Sequence, residues 1–282
     1  MTERVPSDYY RGVVLLLVAA ATYSTAGLFT KGVSAGSWEV IFWRGIFAAV
    51  CTTLWTLNRG AFRQNFMGMG GSGWAVAVVG ALGTAAFIPA FKLTTIANVS
   101  LIYAVSPLIA ALLAWLAIGE KVSTRTMAGC LCALLGVAVI VSGSLGRMSL
   151  LGDLLALGMT AAMASIMVIY RKYPRTPGAG PAVLQSALLL PLAAMFGSPF
   201  GVEPAEVCVL AAFGLLFAIA SVALAEGAKR VPSGQTALLS SLETPLAPIF
   251  AFILFTEIPS IATVLGGSLV LLAVLFSIRN DA

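Results

Sequence analysis

Apolar runs of about twenty residues, separated by short polar or glycine-rich connections, fill almost the whole chain. An α-helix needs roughly 20 apolar residues to cross the hydrocarbon core of a bilayer. Hydropathy and charged punctuation then predict spans at 11–32, 37–57, 73–93, 98–118, 124–143, 151–171, 181–197, 206–228, 234–255 and 260–278. The first run begins after Arg4 and Arg11, continues to Phe29 and is closed by Lys31. It is longer than the apolar core of a secretory signal, so it is taken as the first span. The expected fold class is an all-α integral membrane protein with ten transmembrane helices. Its longest connection is the glycine-rich "NRGAFRQNFMGMGGSG".

The pattern occurs twice. "ANVSLIYAVSPLIAALLAWLAIGE" (97–120) and "QTALLSSLETPLAPIFAFILFTE" (235–257) share a polar opening, a proline, an apolar run and a terminal glutamate. Pro107 aligns with Pro245, Glu120 with Glu257 after a one-residue gap, Gly129 with Gly266, and Lys31 with Arg171. The chain is therefore expected to be a duplicated five-helix unit, 1–146 and 147–282, forming one transport domain. An odd number of spans per unit makes the second copy enter from the opposite side. The halves are then inverted about an axis in the membrane plane, the geometry of alternating access.

Composition agrees with the pattern: 60% of residues are hydrophobic, 10% are charged, and mean hydropathy is +1.00, where soluble domains average about 25% charged. Charge then supplies orientation. With the N-terminus cytoplasmic, Arg4, Arg11, Arg59, Arg63, Lys121, Arg125, Arg171, Lys172, Arg175, Lys229, Arg230 and Arg279 fall at inner ends, against Lys31, Lys92 and Arg147 outside. The positive-inside rule places both termini in the cytoplasm. Because these residues punctuate spans rather than cluster, the basic excess of 16 Lys and Arg over 11 Asp and Glu indicates topology, and no nucleic-acid partner is expected.

Several chemistries drop out. There is no histidine, and all four cysteines lie in apolar runs, where Cys acts as a small hydrophobe. Neither a metal site nor a disulfide framework is indicated. "GMGGSG" (68–73) matches G-x-G-x-x-G but follows a membrane span instead of a strand, so its context fails. No phosphate-binding loop, nucleophile elbow or metal cluster occurs, so no cofactor is expected and enzymatic turnover has no basis in the sequence.

The candidate site follows from what is costly in hydrocarbon. Pro107 and Pro245 lack an N–H and crowd the carbonyls of Tyr103 and Ser241. Such helices are expected to kink where a freed carbonyl faces protein or a water-filled cavity. Ser100, Tyr103 and Ser106 form one helical stripe before the first proline; Ser240, Glu243 and Thr244, with Ser241 beside them, form another before the second. These hydroxyls either line a cavity or back-bond to their own helix. Glu243 is the deepest ionisable residue and is expected to face the cavity. Phe87 and Phe91 share a face with Thr84 and Gly80, and with Trp43 and Tyr103 they form either an aromatic cavity wall or packing. The site is placed between the third, fourth, eighth and ninth spans.

The pattern "SPLIAALLAWLAIGEKVSTRTMAGCLCALLG", with its echo "TPLAPIFAFILFTEIPSIATVLGGSLVLLA", resembles the EamA-type repeats of the drug/metabolite transporter superfamily over essentially the whole chain. Within it the sequence is most similar to bacterial aromatic amino-acid exporters of the YddG type. The resemblance implies an inner-membrane secondary transporter that exports small amphipathic metabolites, among them aromatic amino acids; a broad-specificity drug or organic-cation exporter is the alternative. An arginine in the second span is common in such repeats. Arg44, with Glu39 five residues earlier, is thus either an architectural pair or a carboxylate site, and Lys92 reads as an interfacial anchor. The partners implied are a small-molecule substrate and the lipid bilayer, and ten helices in one chain suffice for a monomeric pathway.

Overall fold

The computed structural model describes residues 5–142, 149–255 and 261–278; the expected boundary between the halves at 146/147, and Thr256 and Glu257, lie outside them. Among the described residues the chain is all-α. In the first half the helices are α1 (Val5–Tyr23), α2 (Ala26–Lys31), α3 (Ser37–Asn58), α4 (Phe62–Phe66), α5 (Gly70–Leu93), α6 (Ile96–Tyr103), α7 (Ser106–Ile118) and α8 (Thr124–Ser142). The second half has α9 (Leu150–Lys172), α10 (Ala179–Phe196), a 3-10 turn (Pro199–Gly201), α11 (Pro204–Ala228), α12 (Ser233–Ser240), α13 (Glu243–Phe255) and α14 (Ile261–Ile278).

Among the described residues, seven helical rods are long and apolar enough to cross a membrane: Asp8–Lys31, Ser37–Asn58, Gly70–Leu93, Asn98–Ile118, Leu150–Lys172, Ala179–Phe196 and Pro204–Ala228. Thr124–Ile140 and Ile261–Phe276 are shorter apolar helices. The ninth expected span, 234–255, corresponds to α12–α13, which is interrupted at Ser241 and Leu242.

Three rods break within their length, each for a local reason. Between α1 and α2, Thr22, Ser24 and Thr25 turn their hydroxyls back onto the carbonyls of Val18, Ala21 and Thr22 at 2.6–2.7 Å. Back-bonding of this kind competes with the backbone ladder and bends helices. The α6–α7 break falls at Ala104 and Val105, with Pro107 in the first turn of the new helix, where its missing N–H costs nothing. The α12–α13 break places Pro245 similarly, as the third residue of α13. Gly119 ends α7 at φ +68°, a left-handed conformation that glycine adopts without steric cost, and it directs Glu120 across the bundle.

Glu120 then joins three elements at the end where α1 begins. One carboxylate oxygen accepts from Arg171 Nε of α9 at 3.1 Å and the other from the Ser233 backbone N–H at 2.8 Å. The second contact sets a negative charge at the start of α12, where the helix dipole favours it. Arg230 pairs with Asp8 and Glu226 nearby. The opposite end is tied by Glu206, which accepts from the backbone N–H groups of Ser34 and Ala35 at 2.6 and 3.1 Å. Lys31 donates there to the Thr94 carbonyl at 3.1 Å, just as its sequence counterpart Arg171 donates to the Lys229 carbonyl at 3.4 Å.

Packing is close because small residues face each other. A Cβ at Gly136 of α8 would lie 2.7 Å from the Gly266 carbonyl of α14, so these two helices meet backbone to backbone. One apolar core, including Leu16, Met167, Leu238 and Val270, holds α1, α9, α12 and α14 together. A second, including Ile41, Ile88, Leu189 and Leu210, holds α3, α5, α10 and α11. A cavity among these helices is lined by residues of both halves.

Candidate functional site: a central aromatic cavity with two unpaired charges

The cavity comprises about 1170 Å³ of non-atom space, the solvent at its open side included. Its wall is formed by both halves: α1–α2, α3, α5 and α6 from the first, and α9, α10, α11 and α13 from the second.

The aromatic side is built at helix spacing. Phe87 and Phe91, one turn apart on α5, have ring centroids 4.8 Å apart, and Tyr103, Ser100 and Thr84 adjoin them on the wall. Tyr103 is 3% exposed and its hydroxyl has no hydrogen-bond partner among the described residues. Opposite, α11 supplies Phe213 and Phe217. They sit against α3 because α11 approaches it at Gly214, where a Cβ would be 2.7 Å from Phe47 Cβ and 2.8 Å from the Arg44 carbonyl.

That approach seats the two rings against Arg44, which is 2% exposed. The guanidinium carbon lies 3.9 Å from the Phe217 centroid and 5.4 Å from that of Phe213, a cation–π arrangement. One terminal nitrogen donates a long 3.4 Å hydrogen bond to Thr84 Oγ1, and Nε has no partner. Across the cavity Glu243, the first residue of α13, is half-buried, and among the described residues its carboxylate has no hydrogen bond or ion pair. Its neighbour Thr244 also lines the wall. An arginine and a glutamate thus line one cavity without pairing with each other.

The structure brings together Thr84, Phe87, Phe91, Ser100, Tyr103, Glu243, Thr244 and Arg44. It does not bring the remaining expected residues into that wall. Ser106 is fully buried with its hydroxyl unpartnered among the described residues, and Pro107 and Pro245 are buried as well. Ser240 and Ser241 bond back to the carbonyls of Thr236 and Leu238 at 2.9 and 2.7 Å. Glu39 does not pair with Arg44: it accepts from the Ser198 backbone N–H at 2.7 Å, because the turn after α10 offers it a free donor. Lys92 donates to the Val33 carbonyl at 3.0 Å. Trp43 donates its indole N–H to the Pro199 carbonyl and is also absent from the wall.

Several wall residues escaped the sequence reading. Tyr23 and Ser24 enter because the first rod breaks beside them, and the run of hydroxyls in "TYSTAG" was the available signal. Gln185 of α10 reaches toward Gly80 of α5, where a Cβ would overlap its amide oxygen. A buried amide in a predicted span was a second signal. Tyr170, Met159 and Met163 face inward from α9 without any distinguishing pattern.

The model for the EamA-like transporter family matches the chain twice, over residues 10–142 and 150–279. A crystal structure of a protein superposes with a TM-score of 0.81 at 19% identity, covering 95% of this chain and 98% of that one; at that identity the likeness concerns the fold alone. No curated protein matches. With its repeat present twice and spanning nearly all of the sequence, the chain belongs to the EamA-like transporter family.

Proposed function

We propose that the protein is a secondary transporter that exports small amphipathic metabolites, principally amino acids including aromatic ones, by alternating access around the central cavity. The observation that carries this reading is the unpaired Glu243 carboxylate facing a wall of aromatic rings in a space bounded by both halves. An ionisable group held inside a membrane is costly, and residues of this kind mark substrate or ion pathways. Rings such as Phe87, Phe91, Phe213 and Tyr103 would surround the substrate's side chain, with Glu243 and the hydroxyls near its polar end.

In this reading all ten rods cross the bilayer as two inverted five-helix halves, with both termini in the cytoplasm of a bacterial-type inner membrane and one chain sufficient as a monomer. The similarity to YddG-type exporters supports both the export direction and the aromatic amino-acid class. Glu243 would carry the coupled proton, and rocking of the halves would expose it to each side in turn. Differential affinity of substrate and proton for the two states would bias that exchange. A broad-specificity organic-cation exporter is a second reading, favoured by the same carboxylate among rings that attract cations.

Counterflow in proteoliposomes tests the proposal. With unlabelled phenylalanine inside and labelled phenylalanine outside, wild type is expected to accumulate label transiently. In Glu243→Gln the exchange that remains is expected to lose its response to an imposed pH gradient. Failure of correctly folded protein to accumulate phenylalanine, together with saturable exchange of an organic cation, would transfer the assignment to the second reading.

A further inference from the structure

Arg44 is placed as an architectural residue only if something balances its charge. The acidic groups that could do so are accounted for. Asp8 pairs with Arg230, Glu120 with Arg171, and Glu226 with Lys229 and Arg230. Glu39 and Glu206 accept from backbone N–H groups, and Asp153 accepts from Thr94 Oγ1. Glu203 is exposed at the start of α11. Glu243 stands in the same cavity unpaired. Among the described residues Arg44 therefore has no carboxylate partner, although it is buried, and a buried cation without one is unfavourable.

The way Arg44 is held adds a second argument. The guanidinium carbon lies over the Phe217 ring at 3.9 Å from its centroid, and the N–H donors lie in the guanidinium plane. Only one of them is used, in the long bond to Thr84, and Nε is unpartnered. The unused in-plane donors of a guanidinium suit two parallel hydrogen bonds to a carboxylate. Arg44 and Glu243 line the same cavity and are not paired with each other.

We infer that Arg44 is the residue that receives the substrate's carboxylate, with Glu243 receiving its ammonium group, so that the cavity selects zwitterions over simple amines and simple acids. This rests on the transport reading above and sharpens it: the substrate class is an α-amino acid whose side chain lies among Phe87, Phe91 and Phe213. It also assigns Arg44 a specificity role, since a site built to bond a charged group rejects analogues that leave its own buried groups unpaired.

The test is counterflow in proteoliposomes with three probes of one side chain: phenylalanine, phenethylamine lacking the carboxylate, and 3-phenylpropionate lacking the amine. Wild type is expected to exchange phenylalanine at least tenfold better than either analogue. Arg44→Gln is expected to lower the ratio of phenylalanine to phenethylamine exchange by at least tenfold, and Arg44→Lys to restore part of it. Glu243→Gln is expected to lower the ratio of phenylalanine to 3-phenylpropionate instead. Because each readout is a ratio within one variant, a partial loss of folded protein does not imitate it; should Arg44→Gln not fold, Arg44→Lys against the same three probes gives the ratio. An unchanged ratio in the Arg44 variants, with phenylalanine still exchanged, overturns the inference and leaves the transport reading intact. Wild type that exchanges phenethylamine as well as phenylalanine also overturns it. Absence of counterflow with any probe by folded wild type overturns the transport reading and the inference together.

Discussion

The rods α6–α7 and α12–α13 are written with the same scheme and broken near the same point, yet they give the cavity different chemistry. Aligned on their prolines, Tyr103 corresponds to Ser241 and Ser106 to Thr244. Tyr103 lines the cavity, while Ser241 is turned onto the Leu238 carbonyl. Thr244 lines it, while Ser106 is buried away from it. Both breaks fall just before a proline, and the neighbours packed around each break decide which side chains reach the wall. Duplication thus supplies two equivalent hinges but not two equivalent subsites, and the one acidic group comes from the second copy alone.

The sharpest way to break this comparison is at Glu243, whose counterpart in the first copy is Val105. Glu243→Gln is expected to lower gradient-driven phenylalanine uptake about ten- to hundredfold, the loss associated with a charged hydrogen bond of about 1.5–3 kcal/mol. Val105→Ala should change uptake less than about twofold at the same protein density, since aliphatic truncation at that site removes no charge. Uptake in proteoliposomes under a fixed pH gradient compares the two directly.

The scaffold behind the second rod offers a smaller effect. α14 packs against α8 at Gly136 and Gly266, leaving no room for a methyl group. Gly266→Ala is expected to cost about 1–3 kcal/mol by overpacking, read as a lowered Tm in detergent. An unchanged Tm would show that this crossing tolerates separation.

The aligned pair Thr244 and Ser106 separates lining from burial. Thr244→Val should raise the KM for transport about threefold to tenfold, because one neutral hydrogen bond is worth about 0.5–1.5 kcal/mol. Ser106→Ala should leave KM unaltered and hold or slightly raise Tm, since its hydroxyl is buried without a partner. The reverse pattern would mean that the cavity wall in the transporting state is not the one described. Smallest of all, Ser241→Ala should shift stability by less than about 1 kcal/mol and leave transport unchanged.

Much of the fold was legible because membrane helices announce themselves locally. Length and apolarity locate the rods within a few residues, and the proline in each fourth helix of a repeat locates a break. The first-rod break was not anticipated, because serine and threonine bend a helix only when their hydroxyls turn back onto it, and that choice is made by surroundings. The candidate site divided along the same line. Phe87, Phe91, Ser100, Tyr103 and Glu243 were found through spacing and cost. Ser106 and Ser240 were assigned to the same helical stripes, with Ser241 beside them, and lie outside the wall.

The sequence by itself determined that this chain is an all-helical membrane protein carrying one unit twice, since bilayer thickness and backbone hydrogen bonding leave an apolar chain few other solutions. It also determined that the charges within the spans must be satisfied or used. Tertiary structure alone decided which of them remain unpaired. Glu39 is drawn to the Ser198 N–H, Gly214 lets α11 bring two rings against Arg44, and the start of α13 sets Glu243 on the cavity wall. Each depends on how closely separate helices approach and how each is rotated about its axis, quantities set by packing across the whole bundle and carried by no single stretch of sequence.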